Sequence, residues 1–293
     1  MANVETKTRK RKKHVGTFGM VWRRLTKDKA AMLGLTVIVI LIVCSIFAPI
    51  LAPYSPTEMD YTAAYCKPCW EHPFGCDKLG RDMLSRVLYG GRYSLLLGFS
   101  SALIGAVVGI ALGATIGYAG GMVDMIGMRI MDIWSVIPGQ LLSILISTTL
   151  GSGLGNTILA MSMGGIPGSM RGVRAMCLKE RQAEYLEAAR SINCSTPTII
   201  FKHMLPNIIA PSIVATTMAI SSTIMSAAGL SYIGLGIQPP DPEWGAMLAD
   251  ARGEILFNPH LLIFPGLMIA LTALSINLFG DGLRDALDPR LKD

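Results

Sequence analysis

Acidic residues are nearly missing from the apolar stretches of this sequence. An ion-coupled carrier uses a carboxylate near the middle of a span to tie the ion to its cargo, and no span here has one. Arg129 and Asp132 are the only clear ionisable pair within a span, three residues apart and placed to satisfy each other. Also missing are a Gly-x4-Gly-Lys-Ser/Thr loop, a His-Glu-x-x-His segment and paired membrane aspartates. These absences argue against ATP binding by this chain, a zinc protease and an intramembrane protease, so no catalytic residue is assigned. His14, His72, His203 and His260 are scattered and stand outside the spans or at their ends. No basic patch with interleaved aromatics suggests nucleic acid as a partner.

Charge is scarce overall, at 16% of 293 residues, against 51% hydrophobic and a mean hydropathy of +0.48. That balance belongs to polytopic membrane proteins. Apolar runs long enough to cross a bilayer occupy residues 31–52, 94–118, 126–150, 154–170, 207–235 and 260–280. The expected fold is all-α with six transmembrane helices. Gly and Pro, Pro138 among them, blur the limits of the third and fourth.

Lys and Arg are distributed unevenly between the two sides. Residues 1–30 hold ten, the 171–205 loop six and the tail after Gly280 three, while 53–93 and 236–259 hold five and one. The positive-inside rule therefore puts both termini and the 171–205 loop in the cytoplasm. The resulting organisation is a basic tail (1–30), a first span (31–52) and an extracytoplasmic loop with an interfacial helix (53–93). A core (94–280) follows, with loops 171–205 and 236–259, and then a tail (281–293). The basic N-terminus precedes an apolar run too long for a secretory signal and is expected to rest on anionic lipid.

Within the second span, Ser101, Gly105, Gly109, Gly113, Gly117 and Gly121 recur every four residues. This is a ridge of small side chains that a neighbouring backbone can approach, as simple packing or as a sliding contact in a gated pore. Met218, Ser221, Ser222 and Met225 in span five are accounted for equally by packing and by a transport path.

Residues 180–193 form a short charged helix between long apolar spans. Tyr185, Ala188, Ala189 and Ile192 fall at i, i+3, i+4 and i+7, on one face with two adjacent alanines. Another protein could approach such a face closely. With no coupling acid inside the membrane, the energy source is expected in a cytosolic partner.

Glu187, Ala188 and Ala189 followed by Leu205 and Pro206 resemble the EAA loop of permease subunits in bacterial ABC importers. Three further stretches are similar to the second permease subunit of dipeptide and oligopeptide importers: 72–90, 234–248 and 280–289. Together they cover most of the chain from about Lys27 onward. The resemblance implies a type I ABC importer permease fold and a bacterial plasma membrane location. It implies as partners a second homologous permease, two cytosolic ATP-binding subunits that carry ATP and Mg2+, and an extracytoplasmic binding protein. Tyr185, Glu187, Ala188, Ala189, Ile192, Asn193 and Pro206 would belong to the ATPase-docking helix and its hinge. Asn193 stands where the family pattern has Gly, and tolerates a left-handed helix end; His203 replaces the usual Ile. Nickel importers, whose permeases are closely related, are the nearest alternative, and a stand-alone secondary carrier or channel is the alternative from another class.

The extracytoplasmic loops carry a second set of candidates. An amphipathic helix is expected from about Arg81, leading into span two, and a second short helix after Pro239 and Pro240, with Asp241 or Glu243 at its start. Asp77, Arg81, Asp82, Asp241, Glu243 and Trp244 are the candidates for binding-protein docking. Cys66, Cys69 and Cys76 share this loop with His72. A disulfide between two of the three is favoured over free thiols, and a metal site is not expected. Cys44, Cys177 and Cys194 are expected as free thiols.

Overall fold

The computed structural model describes residues 17–287. The basic run at 7–13 and the end of the C-terminal tail lie outside the described residues. Ten helices of eight residues or more carry the architecture, and no strand occurs among the described residues. They are α1 (Thr17–Leu25), α2 (Lys29–Ile46), α3 (Met83–Ala119), α4 (Gly121–Trp134), α5 (Gly139–Leu150), α6 (Leu154–Glu180), α7 (Glu184–Ser191), α8 (Leu205–Tyr232), α9 (Trp244–Ala251) and α10 (His260–Leu287).

Four helical stretches are long and apolar enough to cross a membrane: α2, α3, α10 and the unbroken run Thr196–Tyr232 that contains α8. The pair α4 and α5 passes the same test only when joined, and it is bent by 69°. Pro138 sits at the N-cap of α5, where its missing N–H and restricted predecessor end α4 without breaking a bond inside either helix. The described residues thus give four spans, or five with the bent pair. The expected fourth span lies in α6, which has 27 residues but carries Pro167 and several glycines in its interior.

Two expectations about the spans are corrected. The interfacial helix expected from Arg81 is not a separate element: α3 starts at Met83 and runs 37 residues without interruption. Arg129 does not pair with Asp132. Asp132 instead meets Arg171 of α6 at 3.1 Å, and a second link, Asp124 with the Arg174 guanidinium, joins α4 to α6. Asp124 lies just outside the apolar run, so hydropathy did not single it out.

The small-residue ridge of α3 packs against α6. A Cβ on Gly109 would fall 2.3 Å from Ser169 Oγ, and one on Gly113 2.6 Å from the Met170 carbonyl oxygen. Close approach of two backbones is what this ridge permits. It ends at Gly117, because Gly120 (φ 66°) caps α3 and Gly121 (φ 54°) opens α4. Between α3, α6 and α8 lies a cleft of ≈ 340 Å³ whose lining includes Ser101, Gly105, Ser169, Ser212, Thr216 and Thr223. The face of α8 that lines it is therefore 212–216–223. Ser221 faces elsewhere and donates to the Ala273 carbonyl at 3.2 Å.

Candidate functional site

The EAA segment folds as α7, at the end of the bundle where α3 finishes and α6 leads out. Leu186 is fully buried and Ala189 is 6% exposed. Both pack in one cluster with Ala114, Val173, Cys177, Ile199, Met204 and Ile208. One face of α7 is thereby fixed to the chain's own core. Glu187, Ala188, Ser191 and Ile192 point outward, Ile192 at 76% exposure and Tyr185 at 39%. The expected four-residue face is thus divided: Tyr185, Ala188 and Ile192 are open to a partner and Ala189 is not. Sequence periodicity did not weigh Leu186, the one large apolar residue between two glutamates, and Leu186 decides which way the helix turns.

Asn193 has φ 57° and ends α7 in a Schellman motif. Its N–H donates to the Arg190 carbonyl at 2.9 Å, and the Cys194 N–H donates to the Ala189 carbonyl at 3.1 Å. Cys194 is half-buried against the same cluster as Ala189, which supplies the apolar contact this motif usually has. Left-handed backbone costs a β-branched residue roughly 1–2 kcal/mol. Asn193→Val is therefore expected to speed amide exchange across 184–194, and Asn193→Gly to leave it unchanged or slower. Equal exchange in both variants would remove the capping role.

Beyond the turn, Thr196–Thr198 leads into a π-helical segment, Ile199–Met204, and directly into α8. Pro206 is in the first turn of α8, as expected, but the helix before it does not stop. The Leu205 N–H reaches back to the Ile200 carbonyl, a π-type bond. This wide turn gives the Pro206 ring room that an ordinary α-turn lacks. Asn207 then ties the segment together, donating from Nδ2 to the His203 carbonyl at 2.9 Å and to Tyr185 Oη at 2.8 Å. Tyr185 Oη in turn donates to Glu180 Oε1. Burial of the phenol, and next the bond to Glu180, push Tyr185 up to about 12. The end of α6, α7 and the start of α8 are thus joined through one phenol. Arg190 adds a cation–π contact to Tyr118 at the end of α3, 5.5 Å from the ring centroid.

The opposite end of the bundle is closed by a cap built from 54–82 and α9. Five of the six docking candidates there are interior: Asp77 is 8% exposed, Arg81, Asp82 and Glu243 2%, and Trp244 1%. Asp77 Oδ2 accepts from Arg81 Nε at 2.6 Å and lies 3.7 Å from Arg86 Nε. Asp82 caps α3, accepting from the Ser85 N–H and hydroxyl at 2.7 Å each. Glu243 caps α9 through the Ala246 N–H at 2.8 Å and accepts from Ser94 Oγ at 2.8 Å. Trp244 Nε1 donates to the Val87 carbonyl at 2.9 Å, and its ring lies over Gly90 and Gly91. These charges hold the cap together, because a buried ion is tolerated only when its hydrogen-bonding capacity is met. Asp241 alone is exposed, accepting from Tyr93 Oη at 3.0 Å. Cys66 and Cys76 form the disulfide, and Cys69 is free and exposed.

Comparison with known proteins identifies the family. The family described as binding-protein-dependent transport system inner membrane component matches residues 109–293, and the N-terminal TM domain of oligopeptide transport permease C matches residues 16–68. The glutathione transport system permease protein GsiD of Escherichia coli (strain UTI89 / UPEC) is 46% identical over 272 residues, covering 92% of this chain and 90% of that protein. The protein of the same name from Shigella dysenteriae serotype 1 (strain Sd197) is 45% identical over the same shares. Among solved structures, an inward-facing conformation of the MetNI methionine ABC transporter superposes with a TM-score of 0.59 at 20% identity. It covers 70% of this chain and 98% of that one, and at that identity the likeness bears on the fold alone. The chain belongs to the family of binding-protein-dependent transport system inner membrane components, in its peptide-type branch.

Proposed function

We propose that this chain is the non-catalytic membrane subunit of an ATP-driven importer of short peptides, with substrates of the glutathione class among them. The observation that carries the coupling role is the division of α7. Leu186 and Ala189 fasten the helix to the chain's own core, while Glu187, Ala188 and Ile192 face outward. A helix held on one side and bare on the other can transmit a push from a cytosolic ATP-binding subunit. The π-segment and the Tyr185–Asn207 bond carry that push into α8. In this reading α6 is a sixth span, and the bent α4–α5 pair counts as one. The length of α6 supports this, and its low hydropathy follows from the small and polar side chains it turns toward the cleft. Both termini and the 171–205 loop are then cytoplasmic, in a bacterial plasma membrane. A second permease of the same family completes the pathway, and an external binding protein docks on the cap, where Asp241 is the accessible one of the six candidate residues.

The test is ATP hydrolysis by the reconstituted complex, purified with its ATP-binding subunits and assayed with and without the binding protein. Di- and tripeptides, glutathione included, are expected to stimulate turnover several-fold over Ni2+. Stimulation by Ni2+ alone would overturn the substrate class. Transport without any ATP-binding subunit would overturn the importer reading itself.

A further inference from the structure

The cap holds sulfur and nitrogen donors that transport does not use. The ligand atoms of Cys66, His72 and Cys76 lie within 4.8 Å of one another. The loop that presents them is tightly laced: the Cys76 N–H donates to the Cys66 carbonyl, and the Cys69 and Gly75 N–H groups bracket the His72 carbonyl, at 3.0, 2.9 and 2.9 Å. Cys69 Sγ accepts the His72 N–H at 3.3 Å. The imidazole is also oriented. His72 Nδ1 lies 2.9 Å from Asp82 Oδ1, and Asp82 is itself buried. A neutral ring that donates Nδ1–H to a carboxylate keeps its lone pair on Nε2, the arrangement that positions a histidine for a metal. The buried His260 ring borders the same loop at Gly75, where an added Cβ would come within 2.8 Å of Nε2 and 2.6 Å of the Cys66 carbonyl oxygen, and so holds the loop against the start of α10.

We propose that the cap is a redox-gated site for a divalent cation of the zinc class, with Cys66, His72 and Cys76 as ligands and Cys69 as the fourth donor. The disulfide is its closed form. Two molecules of an external thiol, R–SH, reduce the bridge to two cysteine thiols and leave as R–S–S–R, so two electrons and two protons pass to the protein. The cation then takes these two thiolates and that of Cys69, displacing three protons in all. Zinc holds thiolates at about 2.3 Å and imidazole at about 2.0–2.1 Å, which puts tetrahedral ligand atoms roughly 3.5–3.8 Å apart. The three donors already lie within 4.8 Å of one another, so small shifts, with the sulfurs parting once the S–S bond is gone, bring them to that spacing. Thiolate and imidazole donors select zinc over magnesium or calcium.

The experiment uses the full-length chain purified in detergent and reads metal content, so it is independent of any transport assay. Chain reduced with a phosphine, freed of reductant and equilibrated with Zn2+ is expected to retain about one ion per chain, and the oxidised chain none. With Co2+ in place of Zn2+, the reduced chain is expected to show tetrahedral thiolate absorption. His72→Ala should weaken binding at least tenfold. Cys69→Ser, at an exposed position that does not threaten folding, should lower the thiolate-to-cobalt band by about a third, since one of three sulfurs is removed. The proposal fails if the reduced wild type retains no more zinc than the Cys66→Ser/Cys76→Ser variant, or if His72→Ala binds unchanged. An unaltered cobalt spectrum in Cys69→Ser overturns the assignment of the fourth donor.

Discussion

Asp77→Ala is expected to lower the melting temperature of the purified chain sharply, while Lys78→Ala beside it leaves the melt unchanged. Asp77 accepts the Leu79 and Arg81 N–H groups at 2.9 and 3.0 Å and Arg81 Nε at 2.6 Å. Without the carboxylate, Arg81 and Arg86, each 2% exposed, would face each other as like charges. Arg86 Nε already lacks a hydrogen-bond partner, and the remaining carboxylate, Asp250, lies 3.9 Å from Arg81 with its own side chain 32% exposed, so it replaces Asp77 only weakly. Removing one member of a buried pair costs about 3–5 kcal/mol, a large part of the roughly 5–15 kcal/mol that keeps a domain folded. The Lys78–Asp250 pair, at 3.5 Å with side chains 46% and 32% exposed, belongs to the class worth about 0–1 kcal/mol. Asp77→Asn should fall between, since an amide oxygen still accepts from backbone but no longer neutralises the guanidiniums. A thermal melt of the three variants in detergent checks the ordering. Coincident curves for Asp77→Ala and wild type would mean that the cap is held by its apolar contacts instead.

The same cap shows where the sequence stopped being informative. Asp77, Arg81 and Asp82 sit in a polar stretch next to an apolar span, the pattern of an exposed interfacial helix. Their burial arises from contacts across the chain, such as Lys78 and Arg81 with Asp250 of α9, which no local period encodes. Glu243 at the start of a short helix was legible, because a carboxylate followed by an apolar run is a local capping signal. That it also takes the Ser94 hydroxyl, 149 residues away, was not. Spans 31–52 and 260–280 were legible for the same local reason, since a long apolar run needs no tertiary knowledge. The fourth, expected at 154–170, lies in α6, which is not among the helices apolar enough to cross a membrane because it trades hydropathy for the Gly and Ser residues that pack on α3 and line the cleft. Asn193 was read correctly as a left-handed helix end, a property of one residue's backbone. Ala189 was placed on the wrong side, because an eight-residue helix has too few turns for periodicity alone to say which face its own protein takes.

That last point makes two adjacent alanines the most discriminating pair in the chain. Ala188→Asp is expected to leave the protein folded and in the membrane, since residue 188 is exposed, while abolishing peptide-stimulated ATP hydrolysis and co-purification of the ATP-binding subunits. Ala189→Asp is expected to reduce the recovered protein itself. Its carboxylate would enter the cluster of Val173, Cys177, Leu186 and Met204, where an unpaired charge has no partner and costs several kcal/mol. Both substitutions add the same side chain one position apart, so propensity and net charge cancel between them and only the direction of the helix face remains. The measurements are membrane abundance by immunoblot, thermal melt, and retention of the ATP-binding subunits on a tagged permease. If Ala188→Asp retains those subunits and transports normally, the outward face of α7 is not the docking surface. If Ala189→Asp accumulates and melts like wild type, the inward face is not packed as described, and Leu186→Asp should then be equally harmless. Loss of docking in the first variant with loss of protein in the second would assign the two faces separately. The lever would then depend on both, because an outward face transmits force only when the inward face is fixed.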